Sequence, residues 1–368
     1  MKIGDICSYA SKSAIKAGEA VDGAEYMFFT SSSDENKRYS DYQIDGEGII
    51  MGTGGNATLH YYSGKFAVST DCVVLQPDKN VECKYLYYFF KANMKVLEAG
   101  FKGAGLKHTN KNYINDIEIN VIPNIEEQKE TIALFDKLQK IIDGRQAELK
   151  ELDELIKARF VEMFGDPIAN PMGWSTERLE SACKIIVDCP HSTPNYTTEN
   201  TGYMCIRTSI VKKNHILWDE IEYIFEEEFN KRIQRKQPEK GDVIYTREGA
   251  ILGIAAIIDR ECNVALGQRS MLLSPDTEKC TSEFLSYAMN CQSFLDNALR
   301  GQSGSASPHI NVGDIKAFEM IIPPIEMQRE FSAFTKQVDK SKAVVQAAHV
   351  ITRNSHSRRK QKCRILNF

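Results

Sequence analysis

None of the ten cysteines in this 368-residue chain belongs to a Cys-x-x-Cys pair, and they are scattered from Cys7 to Cys363. That pattern argues against a zinc knuckle or a disulfide scaffold and for reduced thiols in a cytoplasmic protein. Long apolar runs are also missing. The longest stretch of apolar residues and glycine, Gly249 to Ile258, is far too short to span a bilayer, and the opening Met1-Lys2-Ile3-Gly4-Asp5 leads into no signal core, so no membrane partner is expected. Neither charge sign dominates: 46 basic against 50 acidic residues leave a net −4, so composition alone makes no electrostatic case for nucleic acid. The phosphate-cradling GxxxxGK[ST] loop is absent, which excludes the usual motor ATPase signature. What is present is ordinary globular composition at a length suited to two or three domains.

The chain repeats itself. Ile122-Pro123-Asn124-Ile125-Glu126-Glu127-Gln128-Lys129-Glu130 returns as Ile322-Pro323-Pro324-Ile325-Glu326-Met327-Gln328-Arg329-Glu330. Upstream, Tyr113-Ile114-Asn115-Asp116-Ile117 parallels Asn311-Val312-Gly313-Asp314-Ile315. Phe66-Ala67-Val68 to Leu75-Gln76-Pro77 parallels Val264-Ala265-Leu266 to Leu273-Ser274-Pro275, and Ile3-Gly4-Asp5-Ile6-Cys7 rhymes with Leu179-Glu180-Ser181-Ala182-Cys183. Ordered matches at nearly constant offset mark a tandem duplication. Within each copy, β-branched and aromatic runs such as Gly48-Ile49-Ile50-Met51 and Asp242-Val243-Ile244-Tyr245 read as strands. Tyr85-Leu86-Tyr87-Tyr88 and Phe284-Leu285-Ser286-Tyr287 read as helix, so each module is α+β. The second module carries an extra polar stretch from about Asp188 to Lys240.

A long helix is expected after each module. Glu126 to Phe164 contains no proline and only Gly144, which predicts a rod on the order of 58 Å. Phe135, Leu138, Ile142, Leu149, Leu152, Ile156 and Met163 fall on a gapped heptad seam; Phe331, Phe334, Val338 and Val345 continue a shorter one in the second copy. Past Ala348 that seam is lost. From Lys336 to Arg364 nine basic residues accompany the single acid Asp339, so a basic, frayed end is expected. The resulting division is 1–123 (first module), 124–165 (central helix), 166–323 (second module), 324–352 (distal helix) and 353–368 (basic tail).

Two α+β modules, each closed by an Ile-Pro-x-Ile-Glu-x-Gln turn and a long helix, resemble the DNA-specificity subunit of type I restriction–modification systems. Further pieces of the resemblance are Ala158-Arg159-Phe160-Val161-Glu162-Met163-Phe164-Gly165-Asp166-Pro167, Tyr203-Met204-Cys205-Ile206-Arg207-Thr208 and Gly241-Asp242-Val243-Ile244-Tyr245-Thr246-Arg247-Glu248-Gly249. The resemblance implies two tandem target-recognition domains, each reading half of a bipartite, asymmetric sequence in double-stranded DNA. It implies helices that pair as an antiparallel coiled coil and dock two adenine methyltransferase subunits, with restriction/motor subunits joining through those. It also implies no active site here: AdoMet, ATP and Mg²⁺ would belong to the partners. The distal helix departs from the family pattern, which leaves open a coiled-coil adaptor, or a partly degenerate specificity chain with a truncated distal helix.

Base reading needs donors and acceptors on exposed loops. The candidates are Thr53, Asn56, Lys65, Lys107, Thr109 and Asn110 in the first module. In the second they are Arg207, Lys212, Lys213, Asn214, Arg247, Gln268, Arg269, Gln302, Ser303 and Ser305. Any one of them can equally be a solvated side chain or a phosphate contact. Phe101-Lys102-Gly103-Ala104-Gly105 matches an AdoMet-loop pattern, but it follows a helical segment and no Asp/Asn-Pro-Pro-Tyr/Phe loop accompanies it, so methyltransferase activity is not expected. Cys183, Cys189 and His191 fit no standard metal spacing, and no metal is expected.

Overall fold

The structure, a computed structural model, describes residues 1–300 and 309–365, with side chains described as far as Thr352. It divides into two compact units: Met1–Ala147 with the segment from Val345 onward, and Glu148–Val344.

The first unit is built on one six-stranded sheet. A short helix α1 (Ile3–Ile6) leads into β1 (Cys7–Tyr9), followed by β2 (Tyr26–Phe29), β3 (Arg38–Tyr39), β4 (Ile44–Gly52), β5 (Leu59–Val68) and β6 (Cys72–Pro77), in the spatial order β1-β6-β4-β5-β2-β3. All pairs are antiparallel except β2 with β5, where Phe28 lies opposite Ala67. Both faces of the central strands are covered. Ile49, Met51 and Leu75 face α2 (Cys83–Ala92) through Leu86 and Phe90, while Ile50, Phe66 and Val74 form a second cluster with Phe29. Burial on both sides explains why Gly48 to Met51 reads as a continuous apolar run rather than an alternating one. Helices α3 (Met94–Ala99) and α4 (Lys111–Asn115) complete the module before α5 (Ile125–Phe164) departs.

The second unit opens with β7 (Thr176–Arg178), α6 (Leu179–Ala182) and β8 (Cys183–Asp188). It continues through β9 (Met204–Ile206), the hairpin β10 (Val211–Lys212) and β11 (His215–Ile216), β12 (Glu222–Tyr223) and α7 (Glu226–Arg232). Then come β13 (Val243–Thr246), β14 (Ala255–Ile257), β15 (Val264–Leu266), β16 (Ser270–Pro275), α8 (Ser282–Met289), α9 (Gln292–Leu299), α10 (Val312–Lys316), β17 (Glu319–Ile321) and α11 (Ile325–Ile365). The strands form an antiparallel sheet β14-β13-β16-β8 and a smaller sheet β12-β9-β15.

The duplication is visible element by element. α1 and β1 correspond to α6 and β8, β4 and β6 to β13 and β16, and α2 to α5 correspond to α8 to α11. The exceptional parallel pair recurs as well, with Cys205 opposite Ala265 as Phe28 is opposite Ala67.

Each long helix is rooted in a module. In the first unit Phe135 is buried against Tyr88, while Asp136 accepts from the Tyr88 hydroxyl at 2.5 Å and pairs with Lys84 at 2.7 Å. In the second, Phe160 and Phe164 are buried among Phe284, Tyr287 and Phe331. There α5 and α11 run antiparallel, tied by Arg159 to Glu330 at 2.8 Å and Asp153 to Lys342 at 2.8 Å. In the first unit Arg145 donates to the Ala348 carbonyl and to the Thr352 hydroxyl. Every residue placed on the seam is buried or half-buried. Two expectations are corrected. The distal helix is not truncated: its backbone is helical to Ile365, beyond Thr352, as 41 residues without proline or glycine permit even where the apolar stripe has ended. The loss of the apolar seam past Ala348 also does not end contact with α5, since Arg145 donates to Thr352 there.

Candidate nucleic-acid interface

In the second unit the strand ends of β9, β13, β15 and β16 bring loop residues together. β9 and β15 run side by side, and the Gly267 amide donates to the Ile206 carbonyl at 2.8 Å. A Cβ at Gly267 would meet that carbonyl at 2.8 Å and the Tyr196 hydroxyl at 2.9 Å, so only glycine fits this approach. Arg207 follows β9 and is exposed. Its guanidinium lies 5.0 Å above the Tyr196 ring and pairs with Glu222 at 2.6 Å, a hydrogen bond that raises its pKa further. Gln268 donates to the Thr193 hydroxyl at 3.0 Å, and Arg269 is exposed on a backbone with φ +70°.

Arg247 is of another kind. It is buried, its Nε donates to Asp188 at 2.9 Å and its guanidinium pairs with Glu248 at 2.8 Å. Its amide donates to the Arg269 carbonyl at 3.0 Å, and its own carbonyl accepts from Ile310 at 2.9 Å. A guanidinium committed to two carboxylates has no free edge for a base, so the structure makes Arg247 a brace for the loops around it. Arg232 braces the neighbouring loop. It is buried on α7, pairs with Glu228 at 2.6 Å and donates to the Ser192 carbonyl at 2.6 Å.

The equivalent end of the first unit is built alike. Thr53, just past β4, donates from its amide (2.8 Å) and its hydroxyl (2.9 Å) to the Asp71 carbonyl, and its carbonyl accepts from Thr109 at 3.0 Å. The Gly55 amide donates to the Lys107 carbonyl at 2.8 Å, so Thr53, Asn56, Lys107 and Thr109 share one loop cluster, with Asn56 and Lys107 exposed. Asn110 stands beside it, but its side chain caps α4 by accepting from the Tyr113 amide at 3.0 Å. Lys65 is not part of the cluster. It lies opposite Asp45, six residues along β5 from the turn-proximal Leu59 and about 20 Å away, with its ammonium 4.5 Å above the Tyr42 ring.

Three further candidates of the second unit have surroundings of their own. Lys213 lines a cleft of about 1260 Å³ together with Lys240 and Gly241, which precede β13, whereas Arg247 follows it. Lys212 donates to the Ser209 carbonyl at 2.8 Å. Asn214, at φ +67°, accepts from Ser286 at 3.0 Å and Asn290 at 2.7 Å, a structural tie that removes it as a free base reader. Gln302, Ser303 and Ser305 lie outside the described residues.

Sequence reasoning missed Asp188, Arg232 and Asp71. It also passed over a small repeat that could have located the site. His108-Thr109-Asn110 and His309-Ile310-Asn311 occupy the same place, forming the bridges Gly54–His108 and Glu248–His309 against the turn after β4 or β13. Among the described residues no group of three or more His, Cys, Asp or Glu is placed to hold a metal ion, and no helix is long and apolar enough to cross a membrane.

Two copies of one α+β fold, each presenting polar loops at the same end of its sheet, define a duplicated target-recognition protein. The family model described as the type I restriction modification DNA specificity domain matches residues 1–154 and again 171–348, and the chain belongs to that family. It is 23% identical to the type I restriction enzyme MjaVIII specificity subunit of Methanocaldococcus jannaschii, over 92% of this chain and 85% of the relative. It is 20% identical to the EcoDI specificity subunit of Escherichia coli, over 89% and 78%. In fold it is similar to the crystal structure of the type I restriction–modification S subunit from M. genitalium, with TM-score 0.63 and 12% identity over 99% of this chain and 94% of that one. A chain from a study of type I R-M complex assembly and conformational transition gives TM-score 0.53 at 17% identity, over 99% and 95%.

Proposed function

We propose that each unit reads one half of a bipartite, asymmetric sequence in double-stranded DNA, and that the chain itself catalyses nothing. The observation that carries this reading is the equivalence of the two loop ends. Thr53 and Arg247 brace the same turn, and donors stand around it in both copies: the exposed Asn56, Lys107, Arg207 and Arg269, with Gln268 half-buried. Equivalent surfaces carrying different side chains suit two different half-sites, as paired modules on successive groove faces do.

The helices α5 and α11 act, in this reading, as an antiparallel coiled coil that fixes the half-site spacing and docks two adenine methyltransferase subunits. Restriction/motor subunits join through those. AdoMet, ATP and Mg²⁺ belong to these partners. The division at 1–123, 124–165, 166–323, 324–352 and 353–368 is the proposed functional one, with module exchange possible at its boundaries. A helical α11 of nearly the same length as α5 favours this over a degenerate adaptor.

The test is co-expression with a type I adenine methyltransferase subunit, followed by mapping of methylated adenines. A bipartite motif with a fixed gap is expected. A contiguous palindrome, or a stable complex that methylates nothing, would count against it.

A further inference from the structure

Arg269 differs from every other arginine at its loop end. Arg207 pairs with Glu222, Arg232 with Glu228, and Arg247 with Asp188 and Glu248. Among the described residues nothing forms an ion pair or side-chain hydrogen bond with the Arg269 guanidinium. It also sits at φ +70°, a left-handed conformation that L side chains other than Asn and Asp rarely take, and such outliers persist only where the surroundings impose them. The surroundings here do. Arg247 holds the Arg269 carbonyl, Gly267 is pressed against Ile206, and Gln268 is pinned to Thr193. Gly249 leaves room beside the side chain, since a Cβ there would stand 3.4 Å from the guanidinium. A charged, exposed fork is thus presented from a fixed turn.

The first unit places a residue of opposite charge at this point. Thr53 donates its amide to the Asp71 carbonyl as Arg247 does to Arg269, and β6 begins one residue later, as β16 does. The Asp71 carboxylate accepts from the Ser69 hydroxyl and can only accept.

We propose that Arg269 is a specificity-determining residue of the second unit that reads the O6 and N7 acceptor edge of a guanine. Asp71 makes the first unit refuse guanine at the corresponding step. Arginine fits that edge with two parallel donors, whereas a carboxylate repels it and instead suits the amino group of cytosine. The asymmetry of the target then originates, at this step, in one pair of equivalent positions. The inference rests on the reading of each unit as the reader of one half-site.

The experiment uses the full chain co-expressed with the adenine methyltransferase subunit of its system, with the chromosomal DNA of the expression host as probe and methylated adenines mapped at single-base resolution. Arg269→Gly suits the backbone and removes only the side chain. It should retain methylation while losing, roughly tenfold to hundredfold, the preference for one G·C pair in one half of the motif. Arg269→Gln should move that preference toward A·T, because glutamine pairs with the N6 and N7 of adenine. The other half stays unchanged in both. An unaltered motif in both variants overturns the proposal. So does a uniform loss at all positions with a shallower salt dependence, which marks a phosphate contact. A wild-type complex that yields no bipartite motif removes the half-site reading itself, and the proposal with it.

Discussion

Gln128 and Gln328 make the same three hydrogen bonds, one set in each unit. Gln128 donates to the carbonyls of Pro123 (2.8 Å) and Asn80 (3.1 Å) and accepts from the Glu82 amide at 2.8 Å. Gln328 donates to Pro323 (2.8 Å) and Lys279 (2.9 Å) and accepts from Thr281 at 2.9 Å. Both side chains are fully buried. The repeated Ile-Pro-x-Ile-Glu-x-Gln is therefore a latch. The glutamine on the first turn of each long helix satisfies the backbone just before α2 or α8 and fixes the angle at which the helix leaves its module.

Gln328→Leu leaves one donor and two acceptors buried without partners. A destabilisation of about 2–4 kcal/mol is expected, from a penalty of roughly 1–3 kcal/mol per unsatisfied group offset by relaxation. A lowered urea midpoint with an unchanged slope checks it, and an unchanged midpoint would remove the latch from the account.

The brace at Arg247 makes a second prediction. Asp188→Ala leaves the buried guanidinium with Glu248 as its one remaining carboxylate and should cost about 2–3 kcal/mol. Adding Arg247→Met should restore much of that loss, because the charge left behind is removed as well. If the double variant is simply additive by thermal or urea unfolding, the two residues are not coupled.

On the helical stem, Leu152 is half-buried against the cluster containing Phe160 and Phe331. Leu152→Asp puts a carboxylate into that apolar contact. We expect co-purification of the methyltransferase subunit to fall about tenfold or more, with a matching loss of methylation. Full binding by this variant would show that the stem is not the docking element.

Cys7 and Cys183 stand at equivalent positions, and burial pushes both thiols up to about 12. The folded chain holds these protons where the unfolded chain, near 9, releases them. Stability associated with the thiols is present below pH 9 and declines as pH rises toward 12. At pH 8 alkylation by iodoacetamide should be slow in native protein and fast in urea. Equal rates would mean the two sites are open to solvent.

Much of this was legible in the sequence because it is local or repeated. Apolar spacing marked α5 and the strands, and the duplicated junction located both latches without revealing what their glutamines bind. The candidate site was legible only as a set of polar loop residues. Lys65 and Lys213 read like Lys107 and Arg269, yet strand direction carries them to other parts of their units. Arg247 and Asn214 were indistinguishable from free donors until Asp188, Glu248, Ser286 and Asn290 were seen to engage them. Sequence spacing cannot show such pairings, which join residues dozens of positions apart.

The sequence by itself determined that the chain is two copies of one α+β module with a long helix after each, since periodicity and self-similarity are properties of the string. It also determined that a helix would follow the second module, although its run past Thr352 emerged only from the structure. Only the tertiary structure decided which of the second unit's loop arginines are bound. That depends on which carboxylates the sheet brings within reach: Glu222 for Arg207, Asp188 and Glu248 for Arg247, and, among the described residues, none for Arg269.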